Sequence, residues 1–208
     1  MNNLNNQIIN LEEARNILKF AKRIYPALNG LTVEYGDVFA YYPNDFVITI
    51  PAFFEDVETG MFILEHVNKE FNATFDYNLR EMSIQALLHE CGHHIDFEGK
   101  IMTQRINEYL EYDNYNRELF EEMSVVFSCK VDDYLDQLRE IDEMEEFYGE
   151  IAENVQFELE QKQIELEMDN KELDYMYRML PTEYAADKFS ARFFMTYLRP
   201  YKKCNYNI

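Results

Sequence analysis

The sequence predicts an α+β fold, mostly helical, with a small antiparallel sheet and a large helical insertion. Three observations predict it. Glycine and proline number only six and five in 208 residues, which favours long helices and few loops. Strand-like runs of β-branched and aromatic residues occur only between residues 31 and 50. Beyond them, apolar residues recur at helical spacing almost to the C-terminus. A hydrophobic fraction of 47% supports a packed core, and the length suits a single domain over 1–208 that carries an insertion at about 101–174.

The elements follow in order. Residues 8–27 read as an amphipathic helix, with Ile8, Leu11, Ala14, Ile17, Leu18, Ala21 and Ile24 on one face and Asn29-Gly30 ending it. Three short strands follow at 31–35, 37–42 and 46–50, separated by Gly36-Asp37 and Pro43-Asn44-Asp45 and closed by Pro51. Helices are expected at about 60–71 and 79–97, the second started by Thr74 or Asn78 and ended near Gly99. Residues 101–180 form a long helical stretch. Between Glu140 and Asp174 it holds fourteen acids and two lysines, yet Phe147, Ile151, Val155 and Leu159 keep near-helical spacing, so it reads as a packed amphipathic helix. The last helix begins at Pro181, a residue suited to a first helical turn.

Forty acids against nineteen bases give a net charge of −21. Such a chain is not expected to bind nucleic acid directly or to sit on anionic lipid. Its acidity suits solubility, a basic protein partner, or mimicry of DNA. Cys91, Cys129 and Cys204 are odd in number and widely spaced, which is no disulfide framework and fits a reducing cytoplasm. The stretch MNNLNNQIINLEEARN has neither the basic nor the apolar region of a signal peptide, and no apolar run reaches the length of a membrane span. The expectation is a soluble cytoplasmic protein.

Three of the four histidines fall in IQALLHECGHHIDF, residues 84–97. Within it, His89-Glu90-Cys91-Gly92-His93 is an H-E-x-x-H pattern. On a helix, residues four apart share a face, so His89 and His93 can aim at one point. Glu90 stands about 100° round the helix, at the edge of that point. Two ligands and one general base are the parts of a zinc hydrolase, so the cofactor expected is Zn2+. Chance would give the pattern in roughly one such chain in a hundred, so the helical context has to strengthen it. Ile84, Leu87, Leu88 and Ile95 supply that context by burying one side.

A catalytic zinc needs a third protein ligand. Asp96 and Gly99 stand where the metzincin extension would have glycine and histidine, which rejects that class. Glu183, in PTEYAADKFSARFF, is the best candidate. Asp187, four residues on, shares its face and can accept the outer ring N–H of a ligating histidine, which fixes the tautomer. Ala185 and Ala186 would let this helix approach the His89 helix closely.

These motifs resemble the gluzincin group of zincin metallopeptidases. LLHECGHHIDF with LPTEYAADKFSARFFM is similar to the ImmA/IrrE metallopeptidase family, over about residues 1–98 and 175–198. The resemblance implies a minimal gluzincin core, zinc held by His89, His93 and Glu183, and Glu90 as general base. It implies hydrolysis of a peptide bond in a protein substrate, and by analogy a regulatory protein. The family keeps its glutamate much nearer the histidines, so the roughly eighty residues between them here read as the insertion.

In that mechanism Glu90 takes a proton from the attacking water and returns it to the leaving amine. The oxyanion needs a further donor. Tyr177, Tyr184 and His94 are candidates, Tyr175 a weaker one. His94 faces another side of the helix from the ligand pair and reads as a surface or supporting histidine, and His66 as an ordinary helix residue. FVITI (46–50) is a candidate edge strand that an extended substrate could join. Cys91 reads as a buried small hydrophobe. The alternatives are an acidic non-enzymatic binding protein, an inhibitor or DNA mimic with a structural zinc, and an inactive metallopeptidase relative.

Overall fold

The computed structural model describes residues 7–54, 57–103, 106–148 and 153–199. Residues 1–6, Ile151, the side chain of Phe147 and Cys204 therefore lie outside what is described here. The fold is mostly helical α+β, as the sequence predicts. The chain divides into two compact units, one of Met1–Glu108 with Pro181–Ile208, the other of Tyr109–Leu180. No helix among the described residues is long and apolar enough to cross a membrane.

In the first unit, α1 (Leu11–Ile24) starts at a capping box. Asn10 accepts from the Glu13 backbone N–H, and Glu13 accepts from that of Asn10, both at 3.0 Å. Glu13 also takes Arg80 at 2.7 Å, tying α1 to α3 (Leu79–Thr103). The helix stops at Ile24, three residues short of the expected end. Pro26 holds Tyr25 extended (φ −120°, ψ 91°), and a separate 3-10 turn, Pro26–Gly30, follows.

Strands β1 (Thr32–Tyr35), β2 (Ala40–Tyr42) and β3 (Val47–Ile50) lie where expected, but their pairing differs from the antiparallel sheet predicted. The order is β1-β3-β2, with β1 parallel and β2 antiparallel to β3. Residues 36–39 carry the chain across the sheet instead of folding β1 back on β2. Gly36 allows it: a Cβ there would come 2.6 Å from the Cβ of Thr49. VITI is the most continuously apolar strand, and Ile48 and Ile50 are wholly buried, so β3 takes the middle. FVITI is thus a central strand and not an edge, and the edges are β1 and β2.

Helix α2 (Val57–Glu70) precedes α3 (Leu79–Thr103). Asn78, one of the two starts expected for α3, accepts the Glu81 backbone N–H at 2.9 Å. Gly99 does not end α3, which runs on to Thr103. The predicted helical stretch beyond is two helices, α4 (Ile106–Tyr148) and α5 (Glu153–Arg178). In the second unit these two run side by side. Lys130 pairs with Asp169, Lys162 donates to Gln137 at 2.9 Å, and the Phe120 and Tyr177 rings meet at 5.4 Å, an antiparallel register. Helix α6 (Pro181–Phe193) returns to the first unit and passes into a π-turn, Phe194–Leu198. Among the described residues, α3 and α6 have the most extensive contact of any two elements. Leu87, Leu88, Phe193 and Phe194 are buried within the core that α1 and the sheet complete.

His94 is a structural group of this core, and not a surface histidine. Its Nε2–H donates to the Ala27 carbonyl at 3.0 Å, which leaves Nδ1 to accept from the Tyr41 hydroxyl at 2.8 Å. Burial, with the Glu98 carboxylate adding, pushes the Tyr41 hydroxyl up to about 12, so it stays a donor across the neutral range. The Phe46 ring packs edge-on against the imidazole at 5.5 Å while its backbone holds φ 53°, a costly conformation for a bulky residue. One imidazole thus joins α3, the 3-10 turn and β2. His94→Ala should lower the unfolding free energy by about 1–3 kcal/mol, the cost of leaving buried polar groups unpaired. Urea denaturation would measure it, with metal binding retained.

Candidate metal centre

The site lies where α3 and α6 touch. α3 contributes His89, Glu90 and His93 from consecutive turns, and α6 contributes Glu183 from its first turn and Asp187 from the next. The helices come this close because Gly92 has no side chain. A Cβ there would lie 2.6 Å from the Cα and 2.8 Å from the carbonyl oxygen of Ala186. Ala186 is fully buried in that contact. Ala186, one of the two alanines expected to permit a close approach, does so, with Gly92 as its counterpart on α3.

Asp187 Oδ1 accepts from His89 Nδ1 at 2.7 Å, and Gln85 Nε2 donates to the same oxygen at 3.3 Å. On the other edge of the ring, His89 Nε2 stands 3.2 Å from Glu183 Oε2. His93 Nε2 is 3.5 Å from that same oxygen. The two imidazoles are nearly perpendicular, 4.5 Å between centroids. His89, Glu90, Glu183 and Asp187 are all buried, and His93 is partly open. The His89, Glu90 and His93 donor atoms lie within 4.8 Å of one another, a grouping that could hold a metal ion. Burial alone would raise the Glu183 carboxyl, but its hydrogen bonds with His89 and His93 outweigh that and hold it well below the usual carboxylate range. Glu183 is therefore charged at neutral pH.

The structure brings together His89, Glu90, His93, Glu183 and Asp187. Of the tyrosines, Tyr184 is turned to another partner. The Tyr184 hydroxyl donates to Glu70 Oε1 at 3.3 Å and its ring packs on Phe71, so it is engaged by α2. Tyr177 belongs to the second unit, against Phe120, and Tyr175 is an exposed residue of that unit. Cys91 is fully buried, and burial raises its thiol far above the usual range, which leaves it an inert packing residue. His66 is a half-buried residue of α2. Sequence reasoning missed Gln85 and Ser190. Gln85 stands four residues before His89 and so shares its face, a signal that was there to read. Ser190 holds α6 to α3 by donating to the Gln85 carbonyl at 3.2 Å.

No family model matches the chain, and no curated protein or solved structure matches it either.

An alanine normally stabilises a helix by about 1 kcal/mol relative to glycine. At position 92 the sign should reverse, because the added methyl meets backbone that cannot turn aside. Gly92→Ala should destabilise by about 1–3 kcal/mol in urea denaturation. It should also weaken metal binding, since α6 carries Glu183 away as it is pushed off.

Proposed function

We propose that this chain is a zinc-dependent metallopeptidase that hydrolyses a peptide bond in a protein substrate, by resemblance a regulatory protein. One observation carries the reading: His89 Nε2 and His93 Nε2 both converge on Glu183 Oε2, at 3.2 and 3.5 Å. Ligands about 2.0–2.1 Å from a tetrahedral zinc are about 3.3 Å apart, so these two separations suit that ion. Two imidazoles and one carboxylate also suit a catalytic zinc, which keeps its fourth position for water or substrate. Bound there, zinc would supply a Lewis acid that polarises a carbonyl and acidifies a water molecule.

The chain's own groups do the rest. Asp187 accepts the Nδ1–H of His89 and so turns the Nε2 lone pair toward the site, while Gln85 steadies Asp187. The Glu90 carboxylate, beside the ligands, accepts a proton from the attacking water and delivers it to the leaving amine. Strand β2 is an edge of the sheet and is tied to α3 through Tyr41 and His94. An extended substrate would join the sheet there by main-chain hydrogen bonds. A structural zinc in a non-enzymatic binding protein would not need a carboxylate in the position of Glu90, which favours the enzyme.

The purified protein should bind about one zinc per chain. His89→Ala or His93→Ala should abolish binding, and Glu183→Ala should weaken it about a hundredfold, read by competition with a chromogenic chelator. Glu90→Gln should keep the zinc and cut casein hydrolysis by about a hundredfold or more. Failure of the wild type to bind any transition metal would sink the reading. Unchanged affinity in Glu183→Ala would remove the third ligand.

A further inference from the structure

The second unit carries a surface that the metal centre does not use. Residues 109–180 hold 22 acids and 6 bases, so 16 of the chain's 21 net negative charges. Helix α5 has two apolar faces. Leu159, Leu166 and Leu173 repeat every seven residues, the first two half-buried and Leu173 buried, and Leu173 shares a crevice with Met123 and Phe127 of α4. On the opposite side, about 180° round at 100° per residue, stand Phe157, Ile164, Met168 and Tyr175. They are exposed by 61, 49, 66 and 47%. Their intervals of seven, four and seven residues align them in one stripe along α5.

Acids border the stripe in two rows. Glu158, Glu165 and Glu172 run along one side, and Glu160, Glu167 and Asp174 along the other, each row also repeating every seven residues. Two bases of α5 lie on this side, Lys171 within the stripe and Arg178, which is buried, at its C-terminal end. Apolar side chains of this size exposed in a row mark a contact surface. A second copy of the chain would bring acid rows against acid rows. A helix with apolar residues on one face and lysine or arginine at its flanks would complement both features.

We propose that this face of α5 docks a basic amphipathic helix of a protein partner. The apolar stripe supplies the buried contact, and the glutamate rows fix the partner's charge and its alignment along α5. The proposal does not rest on the activity proposed for the metal centre.

The probe is a synthetic Leu/Lys amphipathic peptide of about 20 residues, long enough to follow α5. Its binding to the full chain is followed by fluorescence anisotropy at about 0.15 M salt, where loose surface attraction is screened. Saturable one-to-one binding is expected. Ile164→Gln with Met168→Gln should weaken it about tenfold or more while circular dichroism shows unchanged helix content. Glu165→Lys with Glu167→Lys should weaken it comparably. Asp132→Lys with Asp133→Lys on α4, the same change of charge elsewhere, should cost less than about threefold. An equal loss in that α4 variant would overturn the proposal, reducing the binding to general attraction. So would an absence of binding, or a dimer in sedimentation that the Ile164→Gln, Met168→Gln variant dissolves, which would make a second copy the occupant.

Discussion

The contact between the backbones of α3 and α6 at Gly92 and Ala186 is the constraint on which the rest of the first unit depends. With the helices that close, two carboxylates one turn apart on α6 reach the same imidazole from opposite edges. Residues four apart on a helix rise about 6 Å, enough to place Asp187 on Nδ1 of His89 and Glu183 on Nε2. His93, one turn along α3, then meets Glu183 from the other side. The cluster is a consequence of two i, i+4 pairs on touching helices, and a wider separation would undo every polar contact in it. The apolar layers around it, Leu87 and Leu88 on α3 with Phe193 and Phe194 beyond, hold that separation.

Electrostatics give the cluster its chemical bias. Glu90, Glu183 and Asp187 are buried beside two histidines. Burying carboxylates is costly unless opposite charge or hydrogen bonds offset it. Both nitrogens of His89 face carboxylate oxygens, Asp187 at Nδ1 and Glu183 at Nε2. The Nε2 proton and a metal ion compete for one lone pair, so acid works against metal binding. Glu183, held charged by its hydrogen bonds with His89 and His93, offers an anionic oxygen at neutral pH. A divalent cation would neutralise what two histidines leave uncompensated.

What the sequence made legible follows from how local each signal is. His89 with His93, and Glu183 with Asp187, are i, i+4 pairs whose shared faces need only a helix to be true. Their meeting across more than ninety residues was inferred from chemistry, since a zinc site lacks a ligand without it, and the fold brings the two pairs together. The order of the strands was not legible. Alternation predicts that 31–50 holds three strands, but the crossing of β2 to the far side of β3 depends on Gly36 clearing Thr49, a tertiary contact. His94 was misplaced for the same reason. Its burial comes from Ala27, Tyr41 and Phe46, none of them near it in sequence. The tyrosines carried no positional signal at all. With sixteen in the chain, their proximity in sequence to Glu183 said nothing of where their hydroxyls point, and Tyr184 turns to Glu70.

The net charge of the chain belongs mostly to the second unit and not to the chemistry. Outside 109–180 the chain carries 18 acids and 13 bases, close to an ordinary balance. Solubility explains exposed acids, but it does not explain four large apolar residues exposed among them. Nor does the stability of the helix pair, since the heptad of Leu159, Leu166 and Leu173 already gives α5 its packed face. The outer stripe adds nothing to that seam and leaves apolar surface in water. The acid rows discourage pairing of the stripe with its own copies while leaving it open to an opposite charge. Repulsion of like and attraction of unlike partners, built from the same glutamates, accounts for the acidity and the exposed stripe together, where solubility accounts for only one.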